Sequence, residues 1–154
     1  MTKVQIYTDG AAKGNPGPGG YGIIMRSGPH EKELSEGFRK TTNNRMELLS
    51  VIVALETLKK AGMYVEIYSD SKYVVDAVEK GWLFGWAKKG FAGKKNADLW
   101  RRFLQSYKLH HIKFHWIKGH NAHQENERCD QLAVMAAMQK NLKIDEGFES
   151  GLYN

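Results

Sequence analysis

The sequence predicts an α/β fold in which helices cover both faces of a mixed five-stranded sheet. Residues 1–39 contain three strand-like stretches separated by glycine- and proline-rich turns, which is typical of antiparallel hairpins. The rest of the chain alternates helix-like and strand-like segments, and strand–helix–strand units form right-handed parallel crossovers. The 154 residues are 42% hydrophobic and 26% charged, which suits one packed domain and excludes a disordered or fibrous chain.

The elements follow from periodicity and from turn residues. We expect strands over 4–8, 21–26, 33–39, 64–68 and 112–117, and helices over 44–61, 71–80, 82–86, 96–107 and 125–140. Asn43 or Asn44 should cap the first helix, and Gly62 should end it. Residues 141–154 show no clear period, so we expect a loosely docked tail on a single domain of residues 1–154.

Charge and cysteine usage narrow the class of protein. The net charge of +6 permits binding to a polyanion but does not identify one. Cys129 is the single cysteine, so an internal disulfide cannot form, which fits a reducing compartment. The N-terminal residues lack the apolar segment of a signal peptide, and no apolar run approaches the roughly 18 residues of a membrane helix. We therefore expect a cytoplasmic protein without membrane association.

Four carboxylates each have an ordinary structural explanation. Asp9 precedes Gly10, and Asp-Gly is a common turn pair. Glu47 is placed to complete a helix capping box, and Asp70 is placed to cap the helix that follows it. Asp130 fits a solvated charge on a helix. Taken one at a time, these structural explanations are favoured.

The surroundings of the four acids favour a functional explanation over the structural ones. Asp9 and Asp70 both end strands that should run parallel, and ligands bind at the carboxyl ends of such strands. If those strands are neighbours, their ends lie about 4.8 Å apart. Glu47 shares a helix stripe with Val51, Ala54 and Leu58, and Asp130 shares one with Ala133, Val134 and Ala137. Both acids therefore belong to faces that should pack inward.

Buried like charges at one place repel one another, and a divalent cation relieves that repulsion. Ligation by oxygen alone suits a hard cation such as Mg²⁺ or Mn²⁺. Two such ions about 3.5–4 Å apart can hold a phosphodiester, one activating water and the other stabilising the leaving oxygen. The sequence therefore predicts a metal-dependent phosphodiesterase site.

With these residues the chain resembles type 1 ribonuclease H. The resemblance covers residues 4 to about 140, and its segments occur in one specific order. They are Thr-Asp-Gly-Ala at 8–11, Gly-Asn-Pro-Gly-Pro-Gly-Gly-Tyr-Gly at 14–22, Thr-Asn-Asn-Arg-Met-Glu-Leu at 42–48, Ser-Asp-Ser at 69–71, Lys-Gly-His at 118–120 and Glu-Asn-Glu-Arg-Cys-Asp at 125–130.

The resemblance implies an endonuclease that cuts the RNA strand of RNA–DNA hybrids with little sequence preference and leaves 5′-phosphate and 3′-hydroxyl ends. It implies that Asp9, Glu47, Asp70 and Asp130 are the catalytic, metal-binding acids. Two Mg²⁺ ions are expected with substrate bound, with Mn²⁺ as a substitute. His120 matches the mobile histidine associated with proton transfer or product release.

The resemblance also implies contacts to the substrate. Asn15, Asn43 and Asn44 match residues that follow the sugars and phosphates near the cut. Thr42 matches a contact to a phosphate of the DNA strand. Lys72 is a departure, because it stands where the family pattern has a glutamine that contacts the substrate.

The densest positive stretch of the chain surrounds residues 87–95, which we call the basic loop. Because the expected substrate is a polyanion, we predict that its lysines and the interleaved Trp86 bind the hybrid, whereas Trp82 and Trp100 are buried beneath the loop. The alternative is an ordinary solvated surface. The lysines concerned are Lys88, Lys89, Lys94 and Lys95.

Two other patterns are weaker. Residues 17–22 match the dinucleotide-binding motif G-x-G-x-x-G, but that motif must open a helix and here leads into a strand-like stretch. His120, His123 and Cys129 suggest zinc, but structural zinc takes four ligands, and Cys129 should lie in the core.

Two other functional hypotheses remain on this scaffold. One is a non-catalytic hybrid-binding module, which has no need of buried acids facing a polyanion. The other is a different nuclease, such as a junction resolvase or an integrase-like core. The insert over residues 82–95 favours the hybrid-cutting enzyme, which we expect to act as a monomer on an RNA–DNA hybrid.

Overall fold

The computed structural model describes residues 3–118 and 123–153, and they build one five-stranded sheet with strand order β3-β2-β1-β4-β5. Strands β1, β2 and β3 are antiparallel neighbours, whereas β4 pairs in parallel with β1, and β5 pairs in parallel with β4. The predicted mixed sheet is therefore confirmed. The strands are β1 Lys3–Ala12, β2 Gly17–Ser27, β3 His30–Thr41, β4 Tyr64–Ser69 and β5 His111–Trp116.

Helices cover both faces of this sheet. The main core lies on one face, where α1 packs on β1, β2 and α4. Helix α5 covers the opposite face, where it packs on β1, β2 and β3. No helix within the described part of the chain is long and apolar enough to span a membrane. The helices are α1 Asn43–Thr57, α2 Lys72–Glu79, α3 Trp82–Lys88, α4 Ala97–Tyr107, α5 Gln124–Ala137 and α6 Glu146–Glu149.

The glycine-rich stretch is part of the sheet rather than only a turn. Strand β1 continues past Asp9 to Ala12, and its last residues pair with β2. The Asp9-Gly10 pair is therefore not a turn, and β2 begins four residues earlier than predicted. A Cβ at Gly22 would collide with the carbonyl oxygen of Cys129. Glycine here lets α5 approach the sheet closely, which explains the pattern without a dinucleotide site.

Helix α1 is shorter than the predicted span of 44–61. It ends at Thr57, because Leu58 adopts an extended conformation, and Gly62 lies beyond the end. Thr42, rather than either asparagine, caps the helix, and its hydroxyl oxygen accepts a hydrogen bond of 3.2 Å from the backbone N–H of Arg45. The helix is buried almost all round, as its apolar residues predict.

The C-terminal segment, expected to be loosely docked, is instead tied to the core. Asp145 is buried and accepts hydrogen bonds from Arg45 Nε at 2.8 Å and from the Thr41 hydroxyl at 2.7 Å. Arg39 donates two hydrogen bonds of 2.8 Å to Glu149 on α6. The expectation was wrong because the hydrophobic periodicity of a segment gives no information about distant ion pairs. The buried Arg45 on α1 needs carboxylate partners, and Asp145 in the C-terminal segment is one of them.

Two predictions of burial are also corrected. Trp82 is 49% exposed and lies against Lys80, although Trp100 is fully buried as expected. Val134 is exposed, so the inward stripe of α5 runs through Cys129 and Ala133 instead. The prediction that Cys129 lies in the core is confirmed.

Candidate active site

A cleft of about 610 Å³ opens where β1 and β4 approach the N-terminal ends of α1 and α2 and the side of α5. All four predicted acids line it, and we call it the acidic cleft. Its lining residues are Asp9, Gly10, Ala11, Asn43, Asn44, Glu47, Asp70, Ser71, Lys72, Tyr73, Asn126, Glu127, Asp130 and Gln131.

Gly10 brings Asp9 and Glu47 together. Its backbone N–H donates a hydrogen bond to Asp9 Oδ1 at 2.9 Å and a short one to Glu47 Oε1. A Cβ at Gly10 would collide with the backbone at Met46 and Glu47. Glycine is therefore required for α1 to approach β1 closely enough to place the Glu47 carboxylate beside Asp9.

Asp70 reaches the same place through the parallel pairing of β1 with β4. Tyr7 pairs with Tyr68, so Asp9 and Asp70 each lie two residues further along neighbouring strands. Ligand oxygens of Asp9, Glu47 and Asp70 all lie within 4.8 Å of one another. Asp70 does not cap α2, because the Ser71 side chain accepts the hydrogen bond from the N–H of Val74.

Asp130 enters the cleft from α5. It is partly exposed, in contrast to Asp9, which is 8% exposed, and Glu47, which is 9% exposed. Asp130 therefore lies in the outer part of a site whose inner part is formed by β1 and α1. The structure brings it into the same cleft as the other three acids, although the closest oxygen cluster consists of those three alone.

The inner acids lie in an environment that disfavours their negative charge. Burial raises the pKa of Asp9 to about 7, and the neighbouring charges of Asp70 and Asp130 act in the same direction. Burial and the adjacent Asp9 raise the pKa of Glu47 well above its usual value. The hydrogen bond between the two side chains lowers the pKa of Asp9 and raises that of Glu47, and the hydrogen bonds from Gly10 lower both without cancelling the effect of burial.

This donor set fits a divalent cation. The cluster offers only carboxylate oxygens, which are the ligands that Mg²⁺ and Mn²⁺ prefer. Burial and the neighbouring acids both disfavour the charged forms of Asp9 and Glu47, and no cationic side chain is among the causes that act on either pKa. A bound dication would counter both effects, because it favours the ionised form of every carboxylate that it contacts.

The predicted substrate residues lie at and beside this cleft. Asn43 and Asn44 line the cleft and are exposed. Asn15 lies next to them, since its Oδ1 accepts a hydrogen bond of 2.9 Å from the N–H of Asn43. The Oδ1 of Asn43 accepts one from the N–H of Ala12, so the β1–β2 connection and the start of α1 are held together. Thr42 caps α1 at the same place.

The basic loop is separate from the residues that line the acidic cleft. Its four predicted lysines are exposed, and none forms an ion pair within the described ranges. Lys94 Nζ lies 4.9 Å from the centre of the half-buried Trp86 ring, so that ring is in contact with the positive charge. His120 lies outside the described residues.

Sequence reasoning missed five polar residues of the cleft: Ser71, Tyr73, Asn126, Glu127 and Gln131. Asn126 precedes Asp130 by four residues on α5, so helical spacing alone would have placed it beside that acid. The Tyr73 hydroxyl oxygen accepts hydrogen bonds from Asn96 and Trp100, which no local pattern indicates. Lys72, the departure from the family pattern, also lines the cleft.

Comparison with known proteins identifies the class. A family model described as RNase H matches residues 1–138. Ribonuclease H of Desulforamulus reducens is 56% identical over 150 residues, which cover 94% of each chain. Ribonuclease H of Rippkaea orientalis is 52% identical over 153 residues, which cover 96% of this chain and 93% of that protein.

Solved structures agree with these relatives. LC9-RNase H1, a type 1 RNase H with the type 2 active-site motif, superposes with a TM-score of 0.80 at 30% identity, over 100% of this chain and 82% of that one. LC11-RNase H1 in complex with an RNA/DNA hybrid gives 0.64 at 28% identity, over 87% and 96%. The fold and the carboxylate cluster are those of a nuclease. The chain belongs to the ribonuclease H family, which confirms the resemblance seen in the sequence.

Proposed function

We propose that this protein is an endonuclease that hydrolyses the RNA strand of RNA–DNA hybrids and leaves 5′-phosphate and 3′-hydroxyl ends. The observation that carries the proposal is the cluster of Asp9, Glu47 and Asp70, whose oxygens lie within 4.8 Å of one another in a cleft shared with Asp130. The RNA/DNA hybrid bound by LC11-RNase H1 supports the choice of substrate.

The four acids would hold two Mg²⁺ ions when substrate is bound, with Mn²⁺ as a substitute. When bound, the ions supply an activated water and stabilise the leaving oxygen. The chain's own residues set the place of the reaction. Asp9 and Glu47 are fixed by β1, α1 and the N–H of Gly10, and Asp70 is fixed by the end of β4.

Other residues would hold the substrate and move protons. Asn15, Asn43 and Asn44 would follow the sugars and phosphates near the cut, and Thr42 would contact a phosphate of the DNA strand. His120 would transfer a proton or assist product release, since histidine titrates near neutral pH. The basic loop would hold the hybrid away from the reacting bond. The contacts proposed for it involve Trp86, Lys88, Lys89, Lys94 and Lys95.

We further propose that residues 1–154 act as one catalytic domain and as a monomer. The residues described form one sheet whose main core lies on one face and whose C-terminal segment is docked onto β3 and α1. We also propose a cytoplasmic location, because a chain with a single cysteine does not depend on an internal disulfide.

Incubation with four end-labelled substrates tests the proposed function. The substrates are an RNA–DNA hybrid, double-stranded RNA, double-stranded DNA and single-stranded RNA, each with Mg²⁺ and with chelator. We expect cleavage of the hybrid alone, only with Mg²⁺, and products that carry a 5′-phosphate. Asp70→Asn serves as the matched inactive control. An intact hybrid in the presence of Mg²⁺ would refute the proposal, whereas cleavage of duplex DNA would point to another nuclease of this fold.

A further inference from the structure

Asn126 on α5 is a buried amide that the protein does not use internally. Asn126 lines the acidic cleft and is 4% exposed. Within residues 3–118 and 123–153, its Nδ2 is the one buried side-chain nitrogen or oxygen without a hydrogen-bond partner. A buried donor left unsatisfied is costly, and such groups in native proteins need an explanation.

The position of Asn126 indicates the kind of partner that its Nδ2 requires. Asn126 and Asp130 are separated by one helical turn, so both face the cleft that Asp9 and Glu47 also line. An amide nitrogen needs an acceptor with a lone pair. A metal cation has none, so the cation that the acids would hold cannot satisfy this group.

No oxygen of the described residues accepts from Nδ2, so its acceptor is water or an oxygen that arrives with the substrate, and an anionic phosphate oxygen is the stronger acceptor of the two. Four carboxylates repel a phosphate, and a bound cation overcomes that repulsion only where it contacts the phosphate directly. A neutral donor in the same cleft binds a phosphate oxygen without competing for the cation. An amide donor also adds no charge to the site.

We propose that Asn126 is a substrate-contacting residue whose Nδ2 donates a hydrogen bond to a non-bridging phosphate oxygen of the RNA strand at the acids. This inference rests on the proposed function. It assigns the Asn126 side chain to the substrate and not to the metal or to the fold. The contrast within the molecule is Asn96, an equally buried asparagine whose Nδ2 donates to the Tyr73 hydroxyl at 2.9 Å and whose Oδ1 accepts from Arg45.

Two substitutions separate the three roles. Asn126→Leu keeps a branched side chain of similar shape and removes both polar atoms. It should leave the free energy of unfolding in chelator unchanged or higher, since no hydrogen bond of Nδ2 is lost. It should also leave Mg²⁺ affinity unchanged by titration calorimetry. It should lower kcat for hybrid cleavage roughly 10- to 100-fold, the range for a hydrogen bond to a charged group.

Asn126→Asp tests which amide atom is used. It keeps an oxygen at the site and removes the donor, so we expect kcat to fall at least as far as in Asn126→Leu at every Mg²⁺ concentration. If the amide oxygen were a metal ligand instead, Asn126→Asp would retain activity and bind Mg²⁺ more tightly. That result would overturn the inference, as would a kcat equal to that of the parent in Asn126→Leu.

A structural role for Asn126 gives a different pattern. Asn96→Ala, which removes a satisfied buried amide, should lower the free energy of unfolding. If Asn126→Leu destabilises the protein to the same extent, Asn126 belongs to the fold and the inference is wrong. Failure of the proposed function is recognised separately, because the parent protein would then leave the hybrid intact, whatever residue occupies position 126.

Discussion

Helix α1 carries two buried charges, Arg45 and Glu47, whose surroundings are opposite. Residues two positions apart on a helix are separated by about 200° of rotation, so the side chains of Arg45 and Glu47 point to different sides. Arg45 is 1% exposed and pairs with Asp98 at 2.7 Å and with Asp145 at 2.8 Å. Glu47 is buried to a similar degree, yet its carboxylate neighbours are Asp9 and Asp70.

The difference shows how a buried charge can be assigned to the scaffold or to a site. The pKa of Arg45 is raised, because its hydrogen bonds to Asp98 and Asp145 outweigh the burial that would lower it. The raised pKa of Glu47 has the opposite meaning, since burial and Asp9 both act against its charged form. A buried charge paired with opposite charges is satisfied within the fold, so removing its partner is costly, whereas a buried carboxylate surrounded by other carboxylates indicates a ligand.

The largest effect should come from removing a ligand oxygen at the acids. Asp70→Asn keeps the size of the side chain and removes its charge, so it should lower hybrid cleavage by several orders of magnitude. The free energy of unfolding should remain close to that of the parent, because Asp70 does not cap α2. Single-turnover cleavage and urea unfolding measure the two quantities. Cleavage by Asp70→Asn near the parent rate would remove this residue from the site.

Removing Arg45 should lower the stability of the fold and leave cleavage nearly unchanged, which is the opposite of the result expected for Asp70→Asn. Arg45→Met would leave Asp98 and Asp145 without their cation, and breaking a buried pair in this way costs about 3–5 kcal/mol. Urea unfolding should show that loss, whereas kcat of the folded fraction at low temperature should stay within a few-fold of the parent. Unchanged stability would mean that the cluster does not support the fold.

The variant Asp145→Asn serves if Arg45→Met does not fold. It keeps the shape of the side chain and weakens the same cluster. Burial alone would raise the pKa of Asp145, but hydrogen bonds from Arg45 and Thr41 hold it below its usual value. The stability that this carboxylate contributes is therefore present above the ordinary pKa of aspartate and is lost as the pH falls below it. Asp145→Asn should weaken that acid-dependent loss.

The sequence predicted the cluster of acids around Glu47 but not the cluster of partners around Arg45. The acids were found because the sequence pattern places each at a predicted strand end or on a predicted apolar helix stripe, although β1 in fact continues past Asp9 to Ala12. The Arg45 cluster was missed because its partners, Asp98 and Asp145, lie 53 and 100 residues away. The tail was consequently predicted to be loose. Helical spacing places Asn126 beside Asp130, but only the three-dimensional structure shows that its Nδ2 has no partner among the described residues.

The next effect concerns the stability of the metal-free protein as the pH changes. The pKa of Asp9 is raised to about 7 by burial, so the native state holds a proton that the unfolded chain has already lost near pH 4. Stability should therefore fall as the pH rises through this window, and the loss is complete above about pH 7. Asp9→Asn should reduce that loss without abolishing it, because burial also raises the pKa of Glu47, and it should be roughly 1–3 kcal/mol more stable than the parent at about pH 8 in chelator.

Urea unfolding at about pH 5 and pH 8, with chelator and with Mg²⁺, measures this effect. Mg²⁺ should restore the stability of the parent at the higher pH, because it favours the ionised carboxylates, and it should do less for Asp9→Asn. Asp76→Asn, which changes a surface carboxylate paired with Lys80, is the control for a general effect of charge. A parent protein whose metal-free stability rises over this window would contradict the unfavourable burial of Asp9.

The smallest effect should come from the lysines of the basic loop, which differ from both the paired Arg45 and the clustered acids in being exposed. Lys88, Lys89, Lys94 and Lys95 are exposed and have no carboxylate partner within the described residues, so they should contribute little to stability. Each one that binds a phosphate releases counterions, and log affinity then falls linearly with log salt. Replacing all four with alanine in the Asp70→Asn background should weaken hybrid binding roughly tenfold and flatten that slope by up to about 0.9 for each phosphate that is no longer neutralised.

Fluorescence anisotropy across a salt series measures both quantities without cleavage. The matched control replaces four other exposed lysines, so that the change in net charge is the same. These are Lys59, Lys60, Lys108 and Lys140.

If the control set flattens the slope equally, the effect belongs to the overall charge and the basic loop is an ordinary surface. If only the loop variant changes, and its cleavage at saturating substrate in the active background stays near that of the parent, the loop holds the hybrid while the acids cut it. The separation follows from the structure, because none of these four loop lysines lines the cleft in which the carboxylates meet.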